Sequence, residues 1–147
     1  MHNRNDPTGL VERSMKNLAA LETMASIGAD VHLVTQLVLS LLALVVFPRE
    51  RAGFGDAYSL LLKDLEARGW PKWDHHEGKL STLRELLIAV RHAVSHGNVA
   101  FSSEGRAYDD VYLEFTNRYQ GQTKWRGGIN ASDLRVFCDL LGKYILN

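Results

Sequence analysis

One stretch, residues 81–98, contains the start signal, the apolar periodicity and the stop signal of a single amphipathic helix. Thr82 and Glu85 have the spacing of a capping box, in which side chains satisfy the unpaired backbone amides at a helix start. Gly97 favours a stop directly after His96, because glycine adopts the left-handed conformation without steric cost. The pattern therefore predicts one helix with a defined beginning and end, around which the rest of the chain packs.

The predicted helix has one apolar face and one polar face. Its apolar stripe, at positions i, i+4, i+7 and i+11, consists of Leu83, Leu87, Val90 and Val94. A stripe of this kind faces a core. At about 100° per residue, the side chains of Arg84, Arg91 and Ser95 leave the helix roughly 70–110° from the stripe, and those of His92 and His96 point nearly opposite to it. The second face therefore meets water, a partner subunit or a substrate.

Residues 91–96 read Arg-His-Ala-Val-Ser-His, and Gly97 and Asn98 follow. This segment resembles the signature of the HEPN superfamily, in which an arginine is followed by a polar residue, three further residues and a histidine. In this chain the pattern stands at the end of an apolar helix. These are small helical proteins that include many metal-independent ribonucleases of toxin–antitoxin, phage-defence and CRISPR systems. The helix order and the strands predicted after Asn98 resemble a plasmid- or defence-associated HEPN subgroup with a small strand insertion.

The resemblance implies that Arg91 and His96 are catalytic and that His92 orients the arginine or the substrate. RNA is cut without a metal when its own 2′-hydroxyl attacks the adjacent phosphate. This reaction needs a group that transfers protons near neutral pH, as the imidazole of histidine does with an unperturbed pKa of about 6.5. It also needs a cation for the phosphorane charge, and the planar fork of arginine matches phosphate oxygens. We expect Ser95, Asn98 and Arg84 to contact the substrate.

HEPN proteins generally set two such helices against each other in a homodimer. The resemblance therefore implies one composite cleft between two copies that meet around Ser95 and Gln36, with RNA as the substrate, no metal and no cofactor. The expected function is that of a toxin or phage-defence endoribonuclease. Toxins paired with a nucleotidyltransferase antitoxin usually carry a tyrosine two residues after the histidine, and here that position is Asn98. This difference argues against control by AMPylation at that site and leaves an antitoxin that simply binds the protein as a partner. The rival function is a non-catalytic HEPN-like dimeric module that binds a nucleotide or a protein partner.

Several of these residues also have purely structural explanations. His96 suits a helix C-terminus, where a cation is favoured by about 0.3–1 kcal/mol, and Arg91 then is a solvated charge. Arg84 and Lys79 are likewise explained as ordinary solvated helix charges. The tryptophans either stack on bases or anchor connectors onto the core, and the second is the commoner role: Trp70, Trp73 and Trp125.

Zinc binding is a further alternative for the two histidines of the predicted helix. His92 and His96 are four residues apart, and His75 or His76 is the candidate for completing a ligand set. Position 93 is alanine, so the pattern lacks the glutamate of the His-Glu-x-x-His zinc motif.

The composition of the chain limits the classes of protein and of function that remain. The 147 residues suit one domain, 1–147, and 17 basic residues balance 17 acidic ones, so only a local patch attracts RNA. The single cysteine, Cys138, allows no internal disulfide and has the apolar neighbours of a buried thiol. The first residues lack the basic-then-apolar layout of a secretion signal, which favours a cytoplasmic location.

Periodicity and turn residues predict a mainly α fold, a HEPN-like bundle of about five helices with a small antiparallel β insertion before the last helix. The most apolar segment, 31–47, has Asp30 as its predicted N-cap and is interrupted by Thr35, Gln36 and Ser40, which favours a buried helix over a membrane span. The other predicted elements are a helix to about residue 27, a helix over 56–67 capped by Asp56, a connector over 70–78, strands at 99–101 and 111–115, a weak strand at 124–126, and a final helix capped by Asn130 or Ser132.

Overall fold

The computed structural model describes residues 7–46 and 59–146. Five helices and four strands occur in this part of the chain. In chain order they are α1 (Pro7–Ser26), α2 (Leu33–Val46), α3 (Leu62–Ala67), β1 (Asp74–Glu77), α4 (Leu83–Ser95), β2 (Val99–Phe101), a 3-10 turn (Tyr108–Asp110), β3 (Tyr112–Tyr119), β4 (Gln122–Asn130) and α5 (Ala131–Leu146).

The strands form one antiparallel sheet in the order β1-β4-β3-β2. The prediction of a mainly helical fold with a small strand insertion is therefore wrong. Four strands of the described residues make a full sheet layer, and β1 comes before the motif helix α4 rather than after it. The helices remain, but the fold is a mixture of helices and an antiparallel sheet.

Two features explain why the sequence pattern did not predict the full sheet. Residues 74–77, inside the predicted connector, are mostly exposed and do not alternate between apolar and polar side chains, so β1 lacks the usual strand signal. β4 is nine residues long and contains Gly127 and Gly128, which weaken a strand pattern. The indole of Trp125 covers Gly127 and the ring of Tyr112 covers Gly128, so that a Cβ at either position would collide with an aromatic ring.

The predicted strand at 99–101 is confirmed as β2, and β3 starts one residue later and runs four residues further than predicted. A two-residue turn joins β3 to β4. Gln120 and Gly121 both have positive φ, 51° and 76°, as in the tight turns whose twist matches that of the adjoining strands. In this hairpin, Arg118 and Tyr119 lie beyond the part of β3 and β4 that pairs with β2 and β1.

Aromatic side chains join the sheet to α5. Trp73 is buried, and its ring centroid lies 5.4 Å from those of both Phe115 and Phe137. Trp125 is buried beside it, and Trp70 packs edge-on against Phe137. The anchoring role predicted for these tryptophans is confirmed, and stacking on bases is ruled out for Trp73 and Trp125 because both are buried.

α2 begins at Leu33, and the N-cap prediction of Asp30 is wrong. His32 precedes the helix, and its Nδ1 accepts a hydrogen bond from the backbone N–H of Thr35, 3.3 Å away. Asp30 instead pairs with Arg106. One side of α2 is buried against α1, α4 and α5, whereas Leu39 is 54% exposed. In the described ranges, no helix has both the length and the apolarity needed to cross a bilayer.

The connection before α4 is built differently from the prediction. α3 starts at Leu62, and the predicted cap Asp56 lies outside the described residues. The backbone N–H of Leu62 donates to the carbonyl of Ser81, and that of Leu83 donates to the carbonyl of Leu60, both at 2.9 Å. These bonds attach the start of α4 to the chain before α3.

Of the two caps predicted for α5, Asn130 is the one that precedes the helix, and its Oδ1 accepts hydrogen bonds from the backbone N–H and hydroxyl of Ser132 at 2.9 and 2.6 Å. Cys138 is fully buried, and burial raises the pKa of its thiol to about 12. The prediction of a buried thiol is confirmed.

An ion pair joins the first helix to the last. Arg135 of α5 donates two hydrogen bonds to the carboxylate of Glu22 in α1, at 2.9 and 3.0 Å, and the hydroxyl of Tyr108 donates a third at 2.9 Å. Burial alone would raise the pKa of Glu22, but the hydrogen bonds from Arg135 and Tyr108 outweigh it and lower that pKa. The pair is therefore a structural contact that holds α1 against α5.

Replacing this carboxylate gives a pH-dependent loss of stability. We expect Glu22→Gln to lower the free energy of unfolding by about 1–3 kcal/mol at pH 7, because charge-assisted bonds to Arg135 are lost. A carboxylate whose pKa is lowered by folding stabilises the protein above its unfolded pKa and loses this effect as pH falls through its folded pKa. The gap between variant and wild type should therefore close below about pH 4, as measured by urea unfolding across pH. The control is Glu12→Gln, because Glu12 forms an exposed pair with Lys16; an equal loss in both variants contradicts the prediction.

Candidate functional site

Both ends of α4 are as predicted. Thr82 precedes the helix, and its Oγ1 accepts a hydrogen bond from the backbone N–H of Glu85 at 3.1 Å. At the other end Gly97 has φ 71°, and its N–H donates to the carbonyl of Val94, while the N–H of Asn98 donates to the carbonyl of Ala93 at 2.8 Å. This pair of bonds is a Schellman motif, which satisfies carbonyls at the helix end.

The sheet holds the end of α4 in place. The carbonyl of Asn98 accepts a hydrogen bond from the backbone N–H of Thr116 at 3.0 Å, and β2 starts at the next residue. α4 buries an apolar face against α2 and β3. Of the predicted stripe, Leu83, Leu87 and Val90 are buried and Val94 is half-buried. The last turn of α4 is therefore fixed relative to the β3–β4 hairpin.

His92 and His96 lie together on the outer face of this last turn. Both are exposed, and their rings are parallel within 4° with centroids 6.2 Å apart. They line a groove of about 580 Å³ between α4 and the hairpin. Two of the predicted catalytic residues therefore share one open surface.

Arg91 does not line that groove. Its side chain is half-buried and has contacts of its own. His96 comes five positions after Arg91, so at about 100° per residue the two side chains leave the axis about 140° apart. Within one chain, the arginine and the histidine of the motif are on different sides of α4.

The three predicted substrate contacts are spread along α4 and its end. Ser95 is exposed at the last helical residue, and Asn98 is half-buried with both of its backbone polar groups already bonded. Arg84 is exposed on the same side as Arg91 but seven residues earlier, which is about 10 Å along the axis. None of the three lines the groove beside the histidines.

The opposite wall of the groove comes from the hairpin, which the sequence prediction of the site missed. Its described lining residues are Ile88, His92, His96, Asn117, Arg118, Tyr119, Gln120 and Lys124. Arg118 and Lys124 are cationic, and none of the lining residues is acidic. The available signal was the run Arg-Tyr-Gln-Gly-Gln-Thr-Lys at 118–124, in which basic and aromatic residues flank a turn. Its position beside α4 follows only from the pairing of β3 with β4.

The histidines considered for zinc have partners in the sheet. Nδ1 of His75 accepts a hydrogen bond from the indole N–H of Trp125 at 2.9 Å, and burial lowers the pKa of His75. Nε2 of His76 lies 3.0 Å from the hydroxyl of Tyr112. In residues 7–46 and 59–146, no group of three or more His, Cys, Asp or Glu side chains is placed to hold a metal ion.

The capped helix and its Arg-polar-x-x-x-His end are the features of a HEPN-type domain, and the comparison with protein families agrees. A family model described as HEPN pEK499 p136 matches residues 1–147. The chain therefore belongs to the HEPN pEK499 p136 family, which confirms the resemblance to the HEPN superfamily. No curated protein and no solved structure gives a significant match.

Proposed function

We propose that this protein is a metal-independent endoribonuclease that acts as a toxin or phage-defence effector. The observation that carries the proposal is the pair of exposed, parallel imidazoles of His92 and His96 in an open groove with cationic residues on its other wall. Imidazole transfers protons near neutral pH, and the groove has the charge that a phosphate backbone requires. His96, the last residue of the Arg-polar-x-x-x-His signature, lines this groove.

In the proposed reaction, the 2′-oxygen of the RNA attacks the adjacent phosphorus, and His96 accepts the proton that the 2′-hydroxyl loses. The bond from phosphorus to the 5′-oxygen of the next nucleotide breaks, and a second imidazole protonates that leaving oxygen. The products are a 2′,3′-cyclic phosphate and a 5′-hydroxyl end. The Arg91 guanidinium donates hydrogen bonds to the phosphate oxygens, whose negative charge increases in the transition state.

The separation of Arg91 and His96 on α4 supports a site shared by two copies. Ile88 and Ser95 lie between them on the helix surface, at about 60° and 40° from Arg91 in the direction of His96. A second copy packed across this strip brings Arg91 and His96 of both copies to the edges of one cleft. The small side chain of Ser95 suits close contact between two helices, and the half-buried Ile88 lies where this strip meets the groove.

The first test is cleavage of single-stranded RNA by the purified protein in EDTA. We expect fragments with 2′,3′-cyclic phosphate and 5′-hydroxyl ends, because the proposed nucleophile is the 2′-hydroxyl and no metal takes part. Cleavage that requires added divalent ions contradicts the proposal. The rival function, a non-catalytic module binding a nucleotide or a protein, does not require Arg91 and His96 to converge. Absence of cleavage by the folded dimer therefore favours this rival.

A bulky substitution tests the shared site. We expect Ser95→Trp to sediment as a monomer and to lose most RNA cleavage, because the indole prevents contact across the strip. Ala20→Trp, at an exposed position on α1, should retain both dimerisation and cleavage. The measurements are sedimentation velocity and cleavage rate on the same samples, with circular dichroism to check folding. A monomeric Ser95→Trp variant that cleaves at the wild-type rate contradicts the composite site.

A further inference from the structure

The β3–β4 hairpin forms the wall of the groove opposite the histidines of α4. Arg118 pairs with Thr123 and Tyr119 pairs with Gln122, and the turn between them has only two residues. Two-residue turns of this kind fix the register of a hairpin. The pairing, with a register shift between Asn117 and Arg118, therefore determines which side chains of the hairpin line the groove opposite His92 and His96.

An aromatic ring is exposed on this wall. Tyr119 is 60% exposed, and Nζ of Lys124 lies 6.0 Å from its ring centroid. Exposed tyrosine rings are the platforms on which unpaired nucleic-acid bases stack, and stacking accepts any base because every base has a flat face. The ammonium lies over one face of the ring, so a base stacks on the opposite face and the cation is placed to contact a neighbouring phosphate.

The cations of the hairpin differ from Arg126 of the same sheet because no carboxylate among the described residues pairs with them. In the part of the chain that the structure describes, no carboxylate pairs with Arg118 or Lys124, whereas Arg126 on the same β4 strand is paired with Glu77 and Glu114. The groove itself has no acidic lining residue in these ranges. Its charge is therefore complementary to a polyanion, although the whole chain has a formal net charge of +0.

We propose that the hairpin is the binding site for single-stranded RNA, with a base stacked on Tyr119 and neighbouring phosphates bound by Arg118 and Lys124. The strand then runs along the groove, and its next phosphate lies beside His92 and His96. A single strand is required because a base within a duplex cannot turn its face to the tyrosine. The inference rests on the proposed nuclease function and names the residues that hold its substrate.

The test measures binding separately from cleavage. A fluorescent 2′-O-methyl RNA of about 12 nucleotides, within the usual range of single-strand site sizes, lacks the reactive 2′-hydroxyl and reports binding by anisotropy. We expect Tyr119→Ala to weaken binding about 5- to 100-fold, and Tyr119→Phe, which retains the ring, to bind nearly as wild type.

The charged residues are tested by salt dependence. Arg118→Gln and Lys124→Gln should each weaken binding and reduce the slope of log K against log salt by about 0.7, the value for one phosphate contact on a single strand. Lys143→Gln removes the same charge from α5, outside the groove, and should change neither quantity. The folding of every variant is checked by thermal unfolding.

The outcomes separate this inference from the proposed function. If Tyr119→Ala binds as tightly as wild type, if a duplex competes better than the single strand, or if wild type does not bind, the hairpin assignment is wrong. None of these results depends on whether unmodified RNA is cleaved. If binding depends on Tyr119 but unmodified RNA is not cleaved in EDTA, the hairpin assignment stands and the nuclease proposal fails.

Discussion

His96→Ala is expected to lower the rate of RNA cleavage by about 10²- to 10⁴-fold, the usual contribution of a positioned general acid or base. His96 is exposed at the end of α4 and contributes little to the core, so the variant should fold normally. Alanine cannot take the proton from the 2′-hydroxyl. The measurement is the single-turnover cleavage rate in EDTA, with dimerisation checked by sedimentation.

A matched variant distinguishes this effect from a general loss of histidine. His76→Ala removes an exposed histidine from β1, on the sheet rather than in the groove, and should leave cleavage unchanged. For the arginine of the motif, Arg91→Lys retains the charge but not the planar fork. It should recover only part of the activity that Arg91→Ala loses. Cleavage by His96→Ala within a few-fold of wild type would remove His96 from the mechanism.

Gly127→Ala is expected to destabilise the fold by about 3 kcal/mol, the upper end of the range for overpacking a core. A Cβ at this position collides with the ring of Trp125 and comes within 2.5 Å of the carbonyl oxygen of Asp74 on β1. Trp125 is buried and bonded to His75, so its ring has nowhere to move. The loss should appear in urea unfolding followed by tryptophan fluorescence.

Gly142→Ala is the matched control for this substitution. Gly142 lies inside α5, and a Cβ there makes ordinary contacts with Met15 at 3.6 Å and Leu44 at 3.8 Å. Alanine also has a better helix propensity than glycine, so the variant should be more stable by about 0.5–1 kcal/mol. If both alanine variants are equally stable, the close packing of β1 against Trp125 is not important for the fold.

Local signals in the sequence were sufficient for α4 and its ends. The capping residues Thr82 and Glu85, the stop at Gly97 and the apolar stripe each depend on contacts within a few residues, so they can be predicted from spacing. The same holds for the start of α5 at Asn130. The HEPN signature was readable for this reason, because residues 91–96 lie on one continuous helix.

The sheet and the groove depended on partners distant in the chain. β1 is a strand because its backbone pairs with β4, about 50 residues later, and the side chains of residues 74–77 carry little strand preference. The glycines of β4 are tolerated because rings from other positions cover them. Arg118, Tyr119 and Lys124 lie opposite His92 and His96 only because β3 pairs with β4 and the hairpin lies alongside α4.

The sequence by itself therefore determined the helix that carries the motif, its two ends and the residues on its outer face. Only the tertiary structure decided that a four-stranded sheet in the described residues supports this helix. It also decided that His92 and His96 share a groove with the β3–β4 hairpin. The physical reason is that helix capping and periodicity are local properties, whereas strand pairing is decided by which distant segments meet.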